Sequence, residues 1–293
     1  MAGKLSAISF FPVHIEMMRN KIKIGDGTGF IYHQKKLDEY FLITNYHVVS
    51  ARAPAEPSTL LKGYPDSPDA LHFKLLCKDR RSIKSGAIDL IQDSNPQWLE
   101  HPKREQGVDI VALKVAFEED ALIIPQDKLG LVEDIALDIG TDLFIVGYPY
   151  GVETEGFFPI WKKGSVASEP LITQNNLPKF YIDAFTTPGM SGSPVFACES
   201  RQVFDASHNT LNALEKHESG EISALDFLDL INLEELKKPY QKKHFKLVGI
   251  YSGRMLNGER DPGLGIVWKA ELFEEMFEAG IVVKHPFPPH RIE

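Results

Sequence analysis

The chain has 293 residues, enough for one large domain or two small ones, and 43% of them are apolar, which suits a globular fold with a substantial core. Its formal charge of −9 argues against a general nucleic-acid-binding surface and against docking on anionic lipid. The start lacks the long apolar run of an export signal, and no stretch is long enough to span a bilayer. Two cysteines, Cys77 and Cys198, lie far apart, so the expectation is free thiols in a cytoplasmic protein.

Residues 1–20 read as an N-terminal arm with Val13-His14-Ile15 as a candidate strand. From Ile22 to Val49 the pattern is strand, glycine-rich turn, strand, loop, strand, with the turn at Gly25-Asp26-Gly27-Thr28-Gly29. His14 and His33 read as ordinary surface or strand histidines. Ala51 to Ala70 holds four prolines and reads as a long loop beside His47. Short strands at Leu71–Leu76 and Ala87–Ile91 flank a solvated turn, Lys78-Asp79-Arg80-Arg81. Trp98 reads as core and His101 as structural. Many short strands and few helices before residue 115 point to an all-β barrel or sandwich.

Residues 116–140 read as a linker between two halves. A second β run begins near Asp142, with strands expected at Leu143–Gly147, Gly164–Ser168 and Phe180–Asp183. The polar stretch 199–244 carries loosely spaced leucines, enough for one or two amphipathic helices. It stands open as a solvated decoration or as a lid or docking element for an activating partner. Ala270–Ala279 has the apolar spacing of a helix, and His285–Pro289 cannot be regular helix.

The chemistry centres on Pro188-Gly189-Met190-Ser191-Gly192-Ser193-Pro194. A serine in a tight glycine turn can present its hydroxyl outward, and the same turn can aim successive N–H groups at one point. Such a point can hold an oxyanion, so Ser191 reads as a nucleophile, with the amides of Gly189 and Ser191 as its oxyanion hole. Alone, the stretch is equally a β-turn between strands. A serine hydroxyl needs a base, and the base needs an acid to orient it. His47, at the end of Phe41–Val49, and Asp109, opening Asp109-Ile110-Val111-Ala112-Leu113, supply both types.

These stretches, together with Thr28-Gly29-Phe30-Ile31, Asp183 through Val195, Val146–Gly151 and Val248-Gly249-Ile250, resemble the chymotrypsin-like serine proteases, most closely the HtrA (Deg)-like trypsin branch. The resemblance runs from about Gly27 to about Val267. It implies two antiparallel six-stranded β-barrels with the site between them: residues 1–118 carrying His47 and Asp109, and residues 119–293 carrying Ser191, the helical insert and the last helix. It implies a His47, Asp109, Ser191 triad, an acyl-enzyme mechanism, protein or peptide substrates, and neither cofactor nor metal. It places Phe185 at the floor of the S1 pocket and Tyr251-Ser252-Gly253 on its wall, which favours a small or medium apolar P1 residue. Phe185 reads equally as core.

Met190 stands where the digestive branch has an aspartate that pairs with a newly released N-terminus, so the oxyanion loop is expected to be held by packing or set by a partner. Little sequence follows the last helix, and no PDZ module is expected. The α/β-hydrolase elbow is set aside because Ser193 occupies its second glycine position and a strand-like run follows the serine. A catalytically silent binding module on the same fold remains the alternative.

Overall fold

The computed structural model describes residues 5–79, 82–93, 95–204, 208–230, 239–256, 258 and 260–279. The first β assembly comprises β1 (Pro12–Arg19), β2 (Ile22–Gln34), β3 (Glu39–Thr44), β4 (Ala70–Leu76), β5 (Ile83–Asp89), the two-residue β6 (Ile91–Gln92), β7 (Asn95–Pro96) and β8 (Leu99–Glu100), and β9 (Val111–Val115). Seven of these strands form one sheet in the order β5-β4-β1-β2-β3-β9-β8, while β6 pairs with β7 in a separate two-stranded sheet. This sheet is not the closed six-stranded barrel expected of the first half. Its outer strands β5 and β8 are not paired with each other among the described residues.

The second assembly does close. β10 (Asp142–Gly147), β11 (Ile160–Val166), β12 (Lys179–Asp183), β13 (Pro194–Phe204), β14 (Pro239–Arg254) and β15 (Leu264–Lys269) form a barrel in the order β10-β11-β12-β15-β14-β13. The sheet and most of the barrel belong to one compact unit, and residues 198–245, which include the end of β13 and the start of β14, form a second. That second unit holds helices α2 (His208–Glu218) and α3 (Ala224–Leu230), which meet through the rings of His217 and Phe227 at 5.0 Å. A further helix spans Glu271–Ala279, and residues 280–293, including the expected extended tail, lie outside the described residues.

One sequence expectation is extended here and one is overturned. Val13-His14-Ile15 belongs to β1, an interior strand paired on one side with β2 and on the other with β4. And Gly25–Gly29 is not a turn: β2 runs straight through it, pairing Glu16 with Asp26 and Gly29 with Val13. The glycines recur every second residue because that face has no room. A Cβ on Gly27 would meet Val48 Cγ1 at 2.8 Å, and one on Gly29 would meet the Ile43 carbonyl at 2.8 Å. Such glycines mark close approach, not reversal.

Alternation fills the two cores. Ile15, Met17, Leu42, Leu71 and Leu113 pack in the sheet, and Leu143, Ile145, Phe180, Ile182 and Val195 in the barrel. Sheet and barrel meet at Phe11, Phe30, Phe196 and Phe273. Phe30 is fully buried, with ring centroids 4.9 Å from Phe11 and 5.6 Å from Phe273. Phe30→Ala is expected to lower the free energy of unfolding by about 3–5 kcal/mol. Denaturant titration checks this, and a loss below about 1 kcal/mol would place the packing elsewhere.

Burial also sets an alkaline limit. It pushes the Tyr46 phenol up to about 12, and raises Tyr32 and Tyr148 as well. Above pH ~10 these tyrosines ionise in the unfolded chain while the folded chain keeps their protons. The unfolded state then binds fewer protons, so stability falls as pH rises. The melting temperature is expected to drop between pH ~10 and ~12, and Tyr148→Phe to flatten that drop.

Candidate active site

Strand register begins the site. β3 and β9 run antiparallel with Thr44 opposite Val111. Carried past the strand ends, that pairing sets the residues after Thr44 beside those before Val111. The chain then turns into the short helix α1 (Tyr46–Ser50), closed by Ala51 in the left-handed region at φ 56°. The Asp109 carboxylate faces the start of this helix. Its Oδ1 accepts from the His47 backbone N–H at 3.0 Å, and its Oδ2 lies 2.6 Å from His47 Nδ1. Asn45 Nδ2 donates to the Asp109 carbonyl at 2.7 Å, which fixes the backbone of the acid as well.

A third donor arrives from the barrel. Ser252 Oγ, on β14, donates to Asp109 Oδ2 at 2.5 Å. Asp109 is only 4% exposed, so these donors replace water around its carboxylate. They also dictate the imidazole's state: Nδ1 carries the proton toward Asp109, which leaves Nε2 as the basic nitrogen.

Ser191 lies at the head of a loop held on all sides. The Thr28 N–H donates to the Ser191 carbonyl at 2.7 Å, and Thr28 Oγ1 donates to the Gly189 carbonyl at 2.8 Å. Gly192 N–H donates to the Tyr251 carbonyl at 2.8 Å, next to the Ser252 that bonds Asp109. Gly192 has φ 88°, and a Cβ there would sit 1.8 Å from the Thr28 carbonyl oxygen, so only glycine fits. Met190 is fully buried in the barrel core, and the loop is therefore anchored by packing where a charged residue would need a partner. Among the described residues, Ser191 Oγ makes no hydrogen bond.

The N–H groups of Gly189 and Ser191 donate to no group among the described residues. Gly189 is buried, and a buried, unpaired N–H is rare in a folded protein. Ser191 is half-buried, and the two unpaired N–H groups of this loop are free to meet an acceptor that binds from outside. The direction of the Gly189 N–H is set by the preceding peptide. The Pro188 carbonyl accepts from Tyr150 N–H at 2.7 Å, and in a trans peptide the following N–H points the opposite way.

The specificity residues are placed differently from expectation. Phe185 is 72% exposed, with Lys162 Nζ 5.3 Å from its ring centre, so it is neither core nor the floor of a pocket. The side chain one position along, Thr186, turns inward instead and meets the Tyr251 hydroxyl. Tyr251 is 2% exposed and packs in the barrel core, so it backs the site from inside. Ser252 serves Asp109, and of the expected wall only Gly253 faces open space, with no atom within 4 Å of an added Cβ. Ser252 was expected on a pocket wall, and no sequence signal marked its hydrogen bond to Asp109. Thr28 was visible only as part of a motif. Among the described residues, no group of three His, Cys, Asp or Glu side chains is arranged to hold a metal ion.

Thr28→Val keeps the shape of this contact and removes its hydroxyl, leaving the Gly189 carbonyl and the Tyr148 N–H, which reaches the same oxygen at 3.2 Å, without partners. The expected cost is about 1–3 kcal/mol for each orphaned group. Equilibrium unfolding measures it, and a neutral substitution would show that the loop is held without this bridge.

A family model described as a trypsin-like peptidase domain matches residues 27–204. Among solved structures, the chain is similar to two of the HtrA-type protease AlgW with tripeptide, one of them a substituted form. The identities are 13% and 14%, and the TM-scores 0.48 and 0.49. The matches cover 94% and 92% of this chain but only 62% and 60% of those chains, so it spans about three-fifths of their length. No curated protein sequence is significantly similar to this chain.

Proposed function

Because the chain belongs to the trypsin-like peptidase domain family, we propose that it is a serine endopeptidase, with Ser191 as nucleophile, His47 as general base and acid, and Asp109 as the group that orients His47. The observation that carries this reading is the pairing of Asp109 with both the backbone and the ring of His47, beside a loop with two unpaired N–H groups. His47 Nε2 takes the proton from Ser191 Oγ as the oxygen attacks the scissile carbonyl carbon. The carbonyl oxygen becomes the oxyanion and accepts from the N–H groups of Gly189 and Ser191. The C–N bond then breaks, with the proton passing from His47 to the leaving amine. A water, deprotonated by His47, hydrolyses the acyl-Ser191 ester and restores the free hydroxyl.

The Ser191 hydroxyl makes no hydrogen bond among the described residues, and bonds of this kind often tighten only once substrate is bound. Asp109 and Ser252 support the ring that must make it. Ser252→Ala is expected to act on rate, since it removes one donor to the orienting carboxylate and touches no substrate atom. The substrates proposed are proteins or peptides, bound in extended form beside β14 near Gly253.

The test is cleavage of fluorescein-labelled casein by the full chain and by Ser191→Ala. Loss of the nucleophile is expected to lower turnover by roughly 10⁶. Equal cleavage by both forms would remove Ser191 from the reaction, and no cleavage by either would favour a binding module.

A further inference from the structure

His14 is a buried titratable side chain outside the triad, enclosed between two carboxylates. It is 6% exposed, and both ring nitrogens face carboxylates: Nε2 lies 2.8 Å from Asp26 Oδ1, and Nδ1 lies 2.8 Å from Glu153 Oε1. A neutral imidazole has one N–H and so donates to only one of them. The imidazolium donates to both. Asp26 also holds Lys23 Nζ at 2.6 Å, which reaches Glu16 at 3.3 Å, and Glu153 has Lys74 Nζ at 3.5 Å. Tyr64 faces Asp26 from the neighbouring loop, and the Tyr148 ring lies tilted against the His14 ring with centroids 5.2 Å apart. Burial opposes ionisation of Asp26, but hydrogen bonds from His14 and Lys23 outweigh it and hold the carboxyl below its usual range.

This cluster lies against the turn that orients the proposed oxyanion hole. Pro149–Gly151 is a single turn in which Tyr150 is held in the left-handed region at φ 53°, a strained conformation for a non-glycine residue that persists only when its surroundings enforce it. Gly151 rests directly on the cluster: an added Cβ would lie 2.6 Å from Asp26 Oδ1 and 3.1 Å from His14 Nε2. Glu153 ties down the chain two residues later. On its other side the turn holds the oxyanion loop, through Tyr150 N–H to the Pro188 carbonyl, and by packing that leaves no room for a Cβ on Gly189, which would sit 2.4 Å from the Tyr148 carbonyl oxygen.

We propose that His14 is a positioning residue: as an imidazolium bridging Asp26 and Glu153, it locks the Tyr148–Gly151 turn and thereby aims the Gly189 N–H at the oxyanion. The proposal rests on the protease reading of that site. When His14 loses its proton, one carboxylate faces a lone pair, the clamp loosens, and the Pro188–Gly189 peptide loses its fixed direction. Activity then falls when His14 is deprotonated.

The experiment is the rate of Ser191 labelling by a fluorophosphonate across pH, resolved into the maximal rate and the half-saturating concentration. His14→Gln is expected to lower the maximal rate by about tenfold, a fraction of the roughly 10²–10³ that loss of an oxyanion donor costs outright, with half-saturation little changed. Glu153→Gln separates a switch from plain structure. Its amide donates to a neutral His14 Nδ1, so the clamp no longer needs the proton, and the high-pH loss seen in the native chain is expected to disappear. The same high-pH loss in Glu153→Gln, or a native maximal rate in His14→Gln, would overturn the proposal. Nuclear magnetic resonance of the native chain judges it without any reaction: the Gly189 amide signal is expected to titrate in step with the His14 ring, and a Gly189 signal indifferent to that titration would also overturn it. A chain that never labels, yet shows the coupled titration, would refute the protease reading and leave the clamp standing.

Discussion

One buried carboxylate holds the site together. Asp109 accepts from the backbone and ring of His47, which follows β3, and from Ser252 on β14 of the barrel. At 4% exposure it has little water to fall back on, so removing any donor leaves a buried charge less well satisfied. The arrangement makes fold and chemistry interdependent. Antiparallel register brings His47 to Asp109, barrel closure brings Ser252, and the imidazole tautomer follows from both.

Thr28 does for the nucleophile loop what Asp109 does for the base. It sits on β2, yet its N–H and hydroxyl hold two carbonyls of the Ser191 loop while Thr44 Oγ1 donates to its own carbonyl at 2.8 Å. Glycines at 147, 189 and 192 let these strands and loops approach so closely; a Cβ on Gly147 would lie 2.0 Å from Ser193 Oγ. With Met190 packed in the barrel core, the loop has a rigid frame that needs no charged anchor.

What could be read in advance follows from which interactions are local. The contact between His47 and Asp109 was legible because orienting a base admits few residue types, and the flanking apolar runs marked strand ends. The strands of the barrel were legible at 143–147 and 180–183 for the same reason. Gly25–Gly29 misled because glycine signals both reversal and close approach, and only the packed neighbours Val48 and Ile43 distinguish the two. Phe185 misled because alignment fixes a position but not which of two adjacent side chains turns inward. His14 passed as ordinary because Glu153, one of its partners, lies 139 residues away in sequence. Ser252 was assigned to a wall because its bond to Asp109 spans 143 residues. Closure of the first sheet depends on edge pairing that no local pattern encodes.

The account stands most directly on the reactivity of one hydroxyl. Treating the folded full chain with a fluorophosphonate and mapping the adduct by mass spectrometry measures it. The account predicts a single phosphonyl group on Ser191, abolished by His47→Ala. A folded chain that stays unmodified, or one modified elsewhere, would contradict it.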